Sequence, residues 1–192
     1  MVDTLLSILI GLGLAAACGF RVFVPLLIMS LASRAEVGHL ALGGHFAWIG
    51  STPALIAFAV ATVLEIAGYY IPWVDNLLDT IATPTAIVAG VLVTASAMSA
   101  DVSPFLKWTL AVLAGGGTTA VFQGITAMAR HVSSFATGGL GNPVLATAEA
   151  GSSALLAVLA ITVPALAFLL VIGLLYLGVK KLLFRRPTAR AA

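Results

Sequence analysis

Charge is what this chain has least of. Asp, Glu, Lys and Arg make up 8% of its 192 residues, against 61% hydrophobic residues. A soluble globular domain runs near half apolar and a quarter charged, so this composition points to an integral membrane protein and leaves little chain for a soluble domain. Cysteine is nearly absent. The single Cys18 excludes an intrachain disulfide framework and cannot form a zinc site alone. His39, His45 and His131 are scattered singly, so no metal is assigned to them, and no cofactor motif is present. A basic start is missing too. "LGLAAAC" (12–18) resembles a signal-peptide end, but the chain opens Met1-Val2-Asp3 and stays apolar beyond Cys18, so cleavage is not expected.

What is there in quantity is apolar run length. Runs of about 18 or more residues mark candidate spans, and five are present: 4–32, 53–71, 83–100, 105–129 and 152–183, followed by a basic tail over 184–192. The expected architecture is a single all-α domain, a polytopic transmembrane helical bundle. Five of the nine Lys and Arg residues (Lys180, Lys181, Arg185, Arg186 and Arg190) lie at the C-terminus, which the positive-inside tendency places in the cytoplasm. Five spans then put the N-terminus outside, the 34–52 loop inside, the Asp75/Asp79 loop outside, the 101–104 turn inside and the 130–151 loop outside.

An offset of about 98 positions lays Ala17-Cys18-Gly19 over Gly115-Gly116-Gly117. In a five-span layout helices one and four run oppositely, so the shift is compatible with an inverted repeat whose helices one and four are broken near mid-membrane. Coincidence among alanine-rich helices is the alternative.

Arg21, in "CGFRVF" (18–23), falls inside the first run. A charge near the bilayer centre costs at least about 2.5 to 3.5 kcal/mol on insertion scales and normally faces the bundle interior and a partner. At 1.5 Å per helical residue, Arg21 lies about 20 Å from Arg34, and Glu65 about 20 Å from Thr52. The two should meet, with Asp75 or Asp79 as second candidates. Asp75 and Asp79, four apart, put two carboxylates on one helix face; they can bind a hard cation or share a proton, or serve as a cap on a solvated face. "AGGGTTAVFQG" (114–124) carries three consecutive glycines, which break a helix or pack one closely. A break would offer a half-helix end to an anion, lined by Thr119 and Gln123. In the glycine-rich 131–151 segment, Asn142 precedes Pro143, and Glu149 is placed to partner Arg130.

The blocks "ACGFRVFVPLL", "LEIAGYYIPWVDNLLDTIATP", "AGGGTTAVFQGITAMAR" and "GGLGNPVLATAE" resemble, in order, the signature blocks of a bacterial membrane-protein family labelled domain of unknown function 4126. The resemblance runs from helix one to helix five. It implies one integral membrane unit and no particular activity, and it picks out Arg21, Glu65, Asp75, Asp79, Gly115 to Gly117, Arg130, Asn142 and Glu149.

The expected function is a small transporter or channel for a small polar or anionic solute or ion, with these residues forming a polar site near mid-membrane. A membrane-embedded enzyme acting on a lipid-linked substrate through Asp75 and Asp79 is one alternative, although no nucleophile–base pair or zinc signature accompanies them. A membrane scaffold is the other. Membrane lipids are the expected partners, self-association is left open, and nucleic acid is not expected.

Overall fold

Pro25 decides where the first apolar run folds. It has no N–H to offer the carbonyl of Arg21 four residues earlier, and its ring would clash with that carbonyl in a continuous helix. In the computed structural model, which describes residues 2–42, 44–68 and 70–183, with the side chains of 72–80, 178–179 and 181–183 left aside, α1 (Val2–Phe20) accordingly ends just before Arg21. Helix α2 (Phe23–Ala35) opens with Pro25 in its first turn, where a missing N–H is tolerated. It closes at Glu36 in the left-handed conformation (φ 52°).

The remaining elements are a short 3-10 segment (Gly44–Gly50), α3 (Thr52–Gly68), α4 (Pro72–Ala97), α5 (Pro104–Leu110), a π-helical turn (Ala111–Gly116), α6 (Gly117–Thr137), α7 (Asn142–Thr162) and α8 (Pro164–Leu183). The fold is all-helical; the described residues contain no strand. Among the described residues, three helices are long and apolar enough to cross a membrane: Val2–Phe20, Pro104–Thr137 and Asn142–Thr162. The bent pair Gly44–Gly50 and Thr52–Gly68, angled at 60°, makes a fourth if it is one span.

Contacts between the helices fix their directions. Thr119 Oγ1 donates to the Ala15 carbonyl (2.7 Å) and Thr126 Oγ1 to that of Gly19 (3.4 Å), so α6 runs parallel to α1. Thr94 Oγ1 reaches the Gly11 carbonyl (3.1 Å) and Ser99 N reaches Ser7 Oγ (3.3 Å), so α4 runs antiparallel to α1. Ser153 Oγ meets the Ala17 carbonyl (2.9 Å), and a Cβ on Gly13 would lie 2.6 Å from that of Ala160, so α7 is antiparallel too. Helix α1 is thus the central post, with Leu14, Ala15, Ala16, Ala17 and Cys18 fully buried. Its small residues let neighbouring backbones approach closely, and hydroxyls on those neighbours bind its carbonyls.

Several expectations are corrected here. The run 4–32 is not one helix but two, α1 and α2. His39 N donates to the Ile161 carbonyl (3.0 Å), and His39 lines a groove with Val2, Leu5, Leu6 and Leu9, so α2 has returned to the end of the bundle where α1 began. Gly38, at φ 80°, seats the chain there: a Cβ would lie 2.6 Å from the Ile161 carbonyl oxygen. The run 152–183 is likewise divided, because Pro164 cannot continue α7 and Val163 leaves helical geometry ahead of it (φ −135°, ψ 69°). The presumed 130–151 loop is helical except around Gly138 to Gly141, where Gly138 and Gly139 take positive φ.

Helices one and four run in the same direction, which removes the antiparallel relation that an inverted repeat between them requires. Helix four is not broken at its glycines either: Gly116 (φ −60°, ψ −42°) and Gly117 (φ −62°, ψ −47°) stay helical, and the local irregularity is the π turn ahead of α6. The reason is packing. A Cβ on Gly115 would lie 2.9 Å from the Gly90 carbonyl oxygen and 2.8 Å from Thr94 Cβ, and one on Gly116 3.1 Å from Val91 Cγ2, so these two glycines let α4 approach the π turn at the head of α6.

Candidate functional site

The break in the first run leaves two helix ends to satisfy, and the site grows from how that happens. The N-terminus of α2 exposes the N–H groups of Val22 and Phe23, which no carbonyl of a preceding turn can reach. Glu65, near the C-terminal end of α3, accepts both: Val22 N to Oε1 at 2.8 Å and Phe23 N to Oε2 at 3.1 Å. A carboxylate in that position also faces the positive end of the helix dipole. Glu65 therefore sits at the level expected for it beside Arg21, but its hydrogen bonds go to the backbone of the next two residues.

Arg21 turns instead toward α7. Its Nη2 lies 3.0 Å from Glu149 Oε2 and donates to the Ala146 carbonyl at 3.1 Å. Glu149 also holds Arg130 of α6 in a two-point contact, Nε to Oε1 at 3.2 Å and Nη2 to Oε2. All four ionisable groups are buried, with Arg21 1%, Arg130 3%, Glu149 6% and Glu65 8% exposed. The set of four thus gathers two guanidiniums and two carboxyl groups. Arg21 and Arg130 both lie near enough to act on Glu65 electrostatically.

Further polar contacts surround the cluster. Tyr70 Oη and Thr147 Oγ1 stand 2.7 Å apart, joining the end of α3 to α7. Asn142 Nδ2 donates to Ser134 Oγ at 3.1 Å across the α6–α7 turn. A cleft of about 560 Å³ opens against Glu65, walled by Val22, Phe23, Leu64, Ile81, Ala82 and Thr85 among others.

Of the residues singled out from sequence, Arg21, Glu65, Arg130 and Glu149 come together, and the Arg130–Glu149 pairing is as expected. Asn142 stands nearby at the head of α7. Gln123 is buried beside Gly19, two residues short of Arg21. Thr119 lies level with Ala15, about 9 Å below Arg21. Its hydroxyl is committed to the Ala15 and Gly115 carbonyls. Gly115 is committed to packing, and Gly117 has open space about it. The side chains of Asp75 and Asp79 lie outside the described residues. No group of three or more metal-ligating side chains occurs among the described residues. The sequence reading missed the Ala146 carbonyl and the hydroxyls of Thr94 and Ser153; the sequence signal for the fold-back, Pro25, was present.

A family profile described as "Domain of unknown function (DUF4126)" matches residues 8–183. The chain belongs to this family. No curated protein and no solved structure matches it. In this DUF4126 chain the block "ACGFRVF" is the fold-back itself, and "GGLGNPVLATAE" is the tight turn and first half of α7 that carry Ala146 and Glu149. The two blocks meet in space through Arg21.

Proposed function

We propose that this DUF4126 chain is a multi-pass protein of the cell membrane that carries a small polar or anionic solute or ion through the charge cluster at Arg21. One observation carries the reading. The outward faces are apolar, with Leu64, Val63, Leu113, Leu155, Leu169, Phe105 and Phe135 between 63% and 95% exposed, while Arg21, Glu65, Arg130 and Glu149 point inward. This is the inverse of a water-soluble bundle. Ionisable groups held inside a span mark substrate or ion routes by default. The two buried guanidiniums suit a small anion or polar solute, which would have to compete with the Glu149 and Glu65 carboxylates for the donors they now hold.

Orientation follows from the tail. With Lys180 and the Lys and Arg residues after it in the cytoplasm, the N-terminus and the 36–51 connection face outside. The α3–α4 and α6–α7 connections then face inside.

A second reading, a membrane scaffold, is favoured by the mutual satisfaction of the cluster: Glu149 serves both arginines, and Glu65 is taken up by two backbone donors. Reconstitution separates the two. Proteoliposomes on a capacitive electrode, challenged in turn with chloride, nitrate, phosphate and acetate, are expected to give a transport current with at least one anion, lost in Arg21→Met protein that still folds. Silence toward the whole panel from correctly folded protein would favour the scaffold.

A further inference from the structure

At the opposite end of the bundle from the Arg21 cluster lies a second cavity, of about 750 Å³, lined by His45 and Phe46 of the 3-10 segment, by Ala100 and Val102 of the α4–α5 turn, and by Lys107 and Trp108 of α5. Lys107 is half-buried. Among the described residues no carboxylate lies within ion-pair distance of it; Asp101, its nearest acidic neighbour in sequence, is exposed and makes no ion pair with it. Arg34, the other cation at this end, is already occupied by the Gly50 carbonyl (3.2 Å) and Thr52 Oγ1 (3.0 Å). The cavity therefore holds one uncommitted cation beside an imidazole able to donate a hydrogen bond.

Its walls give the rest of the ligand. Trp108 and Phe46 stand together, ring centroids 6.4 Å apart, and Trp108 is 46% exposed. From it an apolar strip continues along the same helical face, with Phe105 83% and Val112 53% exposed. An amphipathic aromatic ring between a cation and an apolar strip is the arrangement found where headgroups meet acyl chains, and a lysine ammonium at that depth pairs with a headgroup phosphate. We infer that this cavity is a binding site for an anionic phospholipid, its phosphate on Lys107 and His45 and an acyl chain laid over Trp108 toward Val112. The inference needs the chain to sit in a bilayer; it does not need the Arg21 cluster to transport anything.

The test uses full-length protein with Trp48→Phe and Trp73→Phe, so that Trp108 alone fluoresces, in phosphatidylcholine nanodiscs. Brominated phosphatidylglycerol is expected to quench Trp108 several-fold more per lipid than brominated phosphatidylcholine. Lys107→Gln should abolish that preference and Lys107→Arg should keep it, with unchanged melting temperatures confirming folding. Equal quenching by the two lipids would overturn the proposal, as would a preference that survives Lys107→Gln combined with His45→Ala. Loss of the preference on adding inorganic phosphate would assign the site to a free anion and overturn the lipid reading. No quenching by either lipid would instead mean that Trp108 does not lie in the bilayer, a failure of the membrane placement.

Discussion

At the scale of single residues, Glu149 holds the cluster together, because one carboxylate answers two buried guanidiniums. Its neutralisation weakens the contacts of both guanidiniums at once, whereas Arg21→Met leaves Glu149 still paired with Arg130. Breaking a buried pair typically costs about 3 to 5 kcal/mol. Glu149→Gln is thus expected at the top of that range and Arg21→Met below it, measured by thermal unfolding in detergent. A double-mutant cycle should find coupling of about 0.5 to 3 kcal/mol between Arg21 and Glu149, as for residues in one network, and less between Arg21 and Glu65. Glu65→Ala is destabilising for another reason: it leaves the Val22 and Phe23 N–H groups without their acceptor, at about 1 to 3 kcal/mol for each buried donor. The four ionisable residues themselves were legible in the sequence, because a charge in an apolar run stands out. Which pairs form was legible only for Arg130 and Glu149. Depth counting set Glu65 beside Arg21 correctly, but it could not see that the break between them would hand Glu65 two backbone donors first.

At the scale of elements, small residues do two jobs that a sequence does not distinguish. Three glycines in a row read equally as a helix break or as a packing face, since both follow from the missing Cβ. The neighbours decide, and they lie on α4. A Cβ on Gly90 or Gly115 would run into the Thr119 and Thr94 side chains, whereas one on Gly117 meets nothing within 4 Å. Gly115→Ala should therefore prevent α4 and α6 from closing and lower the yield of folded protein. Gly117→Ala should be neutral or stabilise by up to about 1 kcal/mol, the usual helical gain over glycine. Folded yield by size-exclusion chromatography, with melting temperatures for both variants, checks the contrast. Equal effects would mean that the triplet does not pack as described. Proline was the more readable signal: Pro25 and Pro164 each stop a helix where a hydropathy window sees an unbroken run, since such a window weighs side chains and ignores missing backbone donors.

At the scale of the whole molecule, the fold-back at Arg21 inverts the side on which each of the next four connections lies. A straight first span puts the 36–51 connection across the membrane from the N-terminus. With α2 returning beside α7, both lie at the same end, and the α3–α4, α4–α5 and α6–α7 connections exchange sides in turn. The second division, at Val163, restores the C-terminus to the end opposite the N-terminus, so the tail and the N-terminus keep their expected relation although everything between them is reversed. Apolar composition, helix content and the inward charges were readable without the structure; the division of the first and last runs into two helices each was not, because it rests on two prolines. The most direct test is cysteine accessibility in a Cys18→Ala background, with Asp3→Cys and Gly44→Cys each treated with an impermeant thiol reagent on sealed, right-side-out vesicles. The fold-back predicts that both positions are labelled from the same side, whichever side that is. Labelling of one from outside and of the other only after the vesicles are opened would contradict it, and would return Arg21 to the middle of a single straight span.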